Sequence, residues 1–187
     1  MNRVTRITWP ALPALPPPGQ AVLVHVPLGL PRPAARPLLR AVLRTILVHW
    51  SGLPAETLPL CETAAGPAWS GELHGAPLNL SLTYAGGDGW IALRRGGLVG
   101  VDALLPEPFA ELPAVARLYL GPETAARLEH SPAPANQFAH AWTAHEARLK
   151  CLRLPLTEWS SIPPLPALTV LHPPNPGGPV LALALAD

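Results

Sequence analysis

The feature that most restricts this chain is proline. It occurs 27 times in 187 residues, and the run Pro10 to Gly19 (PALPALPPPG) is closed to helices and central strands. Proline has no backbone N–H and its ring clashes with the preceding turn, so this stretch reads as an extended arm. Regular structure must fall between such breaks. Ala21 to Val26 alternates Val22, Val24 and Val26 against Leu23 and His25, the pattern of a strand. Beyond Pro31 and Pro33, the segment Ala34 to Trp50 places Leu39, Val42, Leu43, Ile46 and Leu47 on one helical face. Ser51-Gly52 ends that helix and Pro54 stops it.

Shorter strand patterns follow at Leu78 to Thr83, Trp90 to Leu93 and Leu98 to Asp102, with a hairpin signal at Gly86-Gly87-Asp88-Gly89. Helical stretches are expected over Phe109 to Tyr119, Glu123 to Glu129 and Asn136 to Leu152. The last carries Phe138, Ala141, Trp142, His145, Leu149 and Leu152 at core spacing. Two strands close the chain, around Leu168 and Val170 and at Leu181, Leu183 and Leu185, separated by the loop His172 to Pro179. The expected class is α+β, with a long helix and several strands in each of two comparable halves, 1–98 and 99–187.

The 49% hydrophobic and 13% charged composition supplies a core and excludes a disordered chain. A net charge of +1 leaves no surplus for neutralising phosphates, so nucleic acid is not an expected partner. Cys61 and Cys151 make neither a disulfide framework nor a Cys-rich zinc module. No apolar run reaches the ~18 residues of a membrane helix, and no signal core follows Met1 to Arg6. The expected address is cytoplasmic, with no membrane partner.

Glu146 and Lys150 are four residues apart on one helical face, a spacing that serves equally for an exposed ion pair. Glu146 lies beside Trp142 at the edge of the apolar stripe, where a carboxylate can line a cleft. Asp102 closes the apolar strand Leu98-Val99-Gly100-Val101 and either caps the next turn or is presented at a sheet edge. Together Asp102 and Glu146 offer hard oxygens to Mg²⁺, which takes one or two carboxylates plus phosphate oxygens and water. Lys150, the only lysine in the chain, could neutralise a pyrophosphate beside them. Arg32, Arg36, Arg40 and Arg44 recur every fourth residue along the first helix, either as a solvated face or as an anion site. Arg94 and Arg95 are further candidates for anion contacts. His140 and His145 are five residues apart and have no metal-ligand spacing on one face.

Gly100-Val101-Asp102 followed by Trp142-Thr143-x-x-Glu146-Ala147-x-x-Lys150 resembles the paired signatures of the 4′-phosphopantetheinyl transferases, G-[VI]-D and W-[ST]-x-K-E-A-x-x-K. Three more stretches are similar in order and spacing: Ala35-Arg36-Pro37-Leu38-Leu39-Arg40, Gly75-Ala76-Pro77-Leu78-Asn79-Leu80-Ser81 and Val115-Ala116-Arg117-Leu118-Tyr119-Leu120-Gly121-Pro122-Glu123. The resemblance spans about residues 20–160 and implies two similar α+β halves, a pseudo-dimer with its active site in the cleft between them. It implies transfer of the phosphopantetheine arm of coenzyme A to a serine of an apo acyl or peptidyl carrier protein, by a chain able to act as a monomer. Asp102 and Glu146 would hold Mg²⁺, Glu146 would deprotonate the serine, and Lys150 would steady the phosphate charge. Arg32, Arg36, Arg40, Ser81 and Thr83 would hold the nucleotide end.

The departures from the family pattern are also specific. Leu82 replaces the histidine of S-H-S, Ala76 the lysine of G-K-P, and His145 the lysine before the glutamate. Leu104 stands where many members carry a second acid, and Arg153 and Pro155 replace glycines after the helix. A charge-assisted phosphate bond is worth about 1.5–3 kcal/mol, so these losses weaken coenzyme A binding unless the arginine stripe replaces them. They leave open a degenerate homologue, weakly active or non-catalytic, that acts as a carrier-protein-binding module.

Overall fold

The computed structural model describes residues 4–63 and 66–187. The proline arm joins two parallel neighbours, β1 (Val4–Thr8) and β2 (Ala21–Pro27), the first of which the sequence pattern does not announce. The arm itself forms no helix or strand. Donors from the body of the protein hold its carbonyls: Trp50 Nε1 donates to Pro13 at 2.8 Å and Arg95 Nη1 to Pro16 at 3.0 Å. Proline keeps its carbonyl while losing its N–H, so the proline stretch is fastened through acceptors, and the arm's first clear donor to the body is Gly19, whose N–H donates to the Arg95 carbonyl at 2.7 Å.

Helix α1 (Arg32–Ser51) follows, then a two-stranded ribbon of β3 (Leu60–Thr63) and β4 (Gly66–Trp69). Strands β5 (Leu78–Ala85) and β6 (Asp88–Arg95) form the expected hairpin. Gly86 and Gly87, at φ 61° and 83°, supply the two positive-φ positions of its tight turn. Strand β7 (Leu98–Leu104) leads into α2 (Leu112–Leu120), α3 (Pro122–Glu129) and α4 (Pro134–Cys151), and β8 (Thr169–Leu171) and β9 (Val180–Ala186) complete the chain. Helix α2 starts three residues later than the pattern suggests, with Pro113 in its first turn.

The result is a mixed α+β fold with four α-helices and three sheets among the described residues. The first sheet runs β1-β2-β6-β5 and the last runs β7-β9-β8. One face of the first sheet, with Val22, Val24, Ile91 and Leu93, packs against Leu39, Leu43, Ile46 and Leu47 of α1. Its other face, Ala21, Leu23, Trp90 and Ala92, meets Val99, Val101, Leu181, Leu183 and Leu185 of the last sheet. The far face of that sheet, at Ala182 and Ala184, carries α4. The layers are therefore α1, first sheet, last sheet, α4. Each large aliphatic side chain so buried contributes about 1.5–3 kcal/mol.

Two expectations are corrected here. Arg94 and Arg95 are interior groups, at 0% and 6% exposure, and are not available to a ligand. Arg94 donates to the carbonyls of Gly19, Leu98 and Ala186 and to Asp187, tying the arm to the C-terminal strand. Arg95 binds the carbonyls of Leu73, His74 and Pro16. In α4 the face against the sheet is Ala139, Thr143, Ala147 and Cys151, while Ala141, Trp142 and Leu152 are only half-buried. Small side chains let the helix axis approach the strands, which turns the tryptophan outward. No helix among the described residues is long and apolar enough to cross a membrane.

Candidate active site

The site begins with a glycine. A Cβ at Gly100 would collide with the carbonyl of Ala147 and the backbone nitrogen of Cys151, so β7 and α4 touch backbone to backbone there. The glycine of Gly100-Val101-Asp102 is thus the contact that sets the distance between the strand carrying Asp102 and the helix carrying Glu146 and Lys150. Alanines on both sides, Ala147 of α4 and Ala182 and Ala184 of β9, keep the approach close.

Asp102 is buried, 7% exposed, inside β7, so it presents its carboxylate from a strand and does not cap a turn. Lys150 Nζ lies 2.6 Å from its Oδ1, and the Thr83 hydroxyl donates to the same oxygen at 3.1 Å. Among the described residues no ion pair joins Glu146 to Lys150; the lysine bonds across to β7. Burial raises the Glu146 carboxyl above the ordinary glutamate range, and the nearby Asp102 charge adds to the rise; Lys150 and Arg32 oppose it. Two carboxylates that repel one another at the edge of an open cleft suit a hard cation.

A cleft of about 690 Å³ collects Asp102, Glu146, Lys150, Thr83 and Arg32. Much of its remaining wall is apolar, with Leu104, Leu105, Phe109, Val115, Phe138 and Trp142, and Glu107 and Tyr84 add polar groups. Phe138 stacks on Trp142 with ring centres 5.4 Å apart, which fixes that wall as a rigid surface. A smaller groove of about 200 Å³ adjoins, lined by Arg32, Arg36, Arg40, Ser81, Leu82 and Lys150. Arg32 and Lys150 line both cavities, so cationic groove and acidic cleft are neighbours with a shared wall. Arg44 is exposed and lines neither. Each four-residue step advances about 40° around a helix, so the fourth arginine of the stripe has rotated away.

Asp102, Glu146, Lys150, Thr83, Ser81, Arg32, Arg36 and Arg40 therefore lie on these two cavities, with distinct surroundings, whereas Arg44, Arg94 and Arg95 do not. Ser81 and Thr83 are buried in the seam between sheets, where the Val101 N–H donates to Ser81 Oγ at 3.1 Å. Asn79, two residues earlier on the same face of β5, donates to the Gly97 carbonyl at 3.0 Å. The alternation Asn79, Ser81, Thr83 was a legible sign of a polar strand face, though not of its partner. Arg40 grips Glu62 of β3 with two bonds, 2.7 and 2.8 Å, and this pairing holds the Glu62 carboxyl below its usual range. Glu107, a further carboxylate lining the cleft, lay outside any motif. Leu82 faces the arginine groove, whereas Ala76 is buried and lines neither cavity. His145 is buried with its Nε2 unpartnered and does not line the cleft.

Among the described residues, no three or more His, Cys, Asp or Glu side chains converge on one point. Asp102 and Glu146 fit Mg²⁺ as the protein's share of a coordination shell that a ligand and water complete. No protein-family model matches the chain, and no curated protein matches it in sequence.

Proposed function

We propose that the protein transfers the 4′-phosphopantetheine arm of coenzyme A to a serine of an apo acyl or peptidyl carrier protein. The observation that carries this reading is the pair of adjoining cavities, sharing Arg32 and Lys150, that bring Asp102, Glu146 and Lys150 beside a groove of three arginines. A ligand with a polyanionic end, a diphosphate centre and a less polar arm matches the order groove, carboxylates, apolar wall. Bound Mg²⁺ would neutralise the diphosphate and polarise the phosphorus under attack.

The carrier serine Oγ forms a bond to the phosphorus bearing the pantetheine, and the bond from that phosphorus to the bridging oxygen breaks. Adenosine 3′,5′-bisphosphate leaves. The serine proton passes to Glu146, directly or through water, and a raised carboxyl pKa makes it a better base than an ordinary glutamate. Lys150, held by Asp102, faces the charge that develops on the leaving oxygen. Such chemistry is mostly positioning and charge stabilisation, so a few fixed groups suffice.

The sheet orders support the two-half reading. In residues 1–98 a strand, β2, precedes α1 and then the pair β5 and β6, with β6 in the middle. In residues 99–187 β7 precedes α4 and then the pair β8 and β9, with β9 in the middle. The shared order β2-β6-β5 and β7-β9-β8 supports a two-half reading, in which β1, α2 and α3 are additions to the repeat and the cleft lies within one chain. A coenzyme A-dependent role would suit a cytoplasmic address.

One observation favours the second reading, a carrier-protein-binding homologue without catalysis: Glu62 already occupies Arg40, and Leu82 adds no charge to the groove. Intact-mass spectrometry of an apo acyl carrier protein incubated with the protein, coenzyme A and Mg²⁺ separates the two. One added phosphopantetheine, absent with Glu146→Gln, is the expected result. No mass gain across several carriers, from folded protein, establishes the second reading.

A further inference from the structure

On the side of α4 away from the cleft lies a separate cavity of about 490 Å³, lined by His140, His172, Gln137, Thr124 and Arg127 among others. The two imidazoles come from distant parts of the chain. His140 is on α4, and His172 immediately follows β8. Their ring centres are 5.0 Å apart with planes inclined at 63°. His172 Nδ1 lies 2.9 Å from the Leu181 carbonyl oxygen; a carbonyl only accepts, so Nδ1 carries the proton. That leaves the Nε2 lone pair of His172 directed away from the backbone.

We infer that His140 and His172 form a second metal site, a two-imidazole site for a borderline divalent transition ion of the Zn²⁺ class. Two imidazoles bound to one tetrahedral ion at about 2.0–2.1 Å have ring centres about 5 Å apart, the spacing already present. A histidine whose Nδ1–H is fixed by a carbonyl is the usual preparation for metal binding through Nε2. Gln137 supplies an oxygen in the same cavity, and water completes the shell. Soft or borderline nitrogen ligands separate this site from the carboxylate pair of the cleft, which suits Mg²⁺.

Arg127 opposes the ion. Its guanidinium is held on α3 by the Thr124 hydroxyl at 3.2 Å and is exposed, so water and salt screen it without removing its effect. A bound ion would tie α4 to the β8–β9 connection, behind the helix that carries Glu146 and Lys150.

The test is calorimetric titration of the full chain with ZnCl₂ in a Glu146→Gln background, which disables the cleft. One Zn²⁺ per chain is expected. His140→Ala should weaken it more than about tenfold, and Arg127→Gln should tighten it. His140 is exposed and bonds to no backbone, so its replacement leaves the fold in place, as circular dichroism would verify. Cu²⁺ electron paramagnetic resonance gives an independent readout: hyperfine from two imidazole nitrogens, reduced to one by His140→Ala. Equal Zn²⁺ affinity with and without His140, or no Zn²⁺ binding once Glu146 is replaced, overturns the inference. Neither readout depends on transfer activity.

Discussion

The two long helices cover their sheets in opposite ways. Helix α1 lays Leu39, Leu43, Ile46 and Leu47 on the first sheet, a thick aliphatic layer that keeps its backbone away from the strands. Helix α4 lays Ala147 and Cys151 against Ala182, Ala184 and the bare backbone of Gly100. The first arrangement yields stability and turns a row of arginines outward to one side. The second yields proximity: a polar side chain on α4 reaches a carboxylate on β7 at 2.6 Å. Layers that look alike in topology thus divide the work, one holding the molecule together and the other bringing reactive groups to one place.

Removing bulk from α1 is expected to have the largest effect on stability. Leu43→Ala should cost about 2–5 kcal/mol, read by urea denaturation, while transfer per folded molecule stays unchanged. Altered transfer by the folded fraction would mean that the core beneath α1 also positions the arginines that this helix sends into the two cavities. Adding bulk at the α4 contact should invert the pattern. Gly100→Ala should cost about 1–3 kcal/mol through overpacking, and should slow transfer about a hundredfold by displacing α4 from Asp102. If Gly100→Ala keeps full transfer, proximity at Gly100 is not what assembles the site.

The smallest effect concerns charge alone. The Glu146 pKa is raised in the folded state, so folding favours the protonated form. Its ionised form is therefore penalised at high pH, and the penalty vanishes as pH falls below the ordinary glutamate range. Glu146→Gln should stabilise the protein by up to about 1 kcal/mol above the raised pKa, after screening, and by nothing at acid pH. Thermal melts of both proteins across pH 3 to 8 check this. An equal stability difference at every pH would show that packing, not charge, separates the two. Loss of transfer with a gain in stability is the signature expected of a group kept for its chemistry.

Much of the fold was legible. The buried face of α1, the hairpin at Gly86-Gly87 and the closing strands follow from apolar period and turn chemistry, which act locally. Strand β1 was not: Val4–Thr8 earns its place by pairing with β2, a partner on the far side of the proline arm. The core of α4 was legible at Phe138, His145 and Leu149 but not at Ala139, Thr143, Ala147 and Cys151, because small residues carry little signal. Arg94 and Arg95 looked like surface cations because nothing local foretells that backbone carbonyls from the arm and from the last strand converge on them.

The chain by itself determined which residues could be reactive: Asp102 at the end of an apolar strand, Glu146 and Lys150 one helical turn apart, arginines at every fourth position of α1. Local covalent structure and helical geometry are enough for that. Only the tertiary structure decided that Lys150 bonds Asp102 and not Glu146, that Arg40 is paired and Arg44 is not in the groove, and that His140 meets His172. Those outcomes depend on distances between segments far apart in sequence, and packing against a shared core sets such distances.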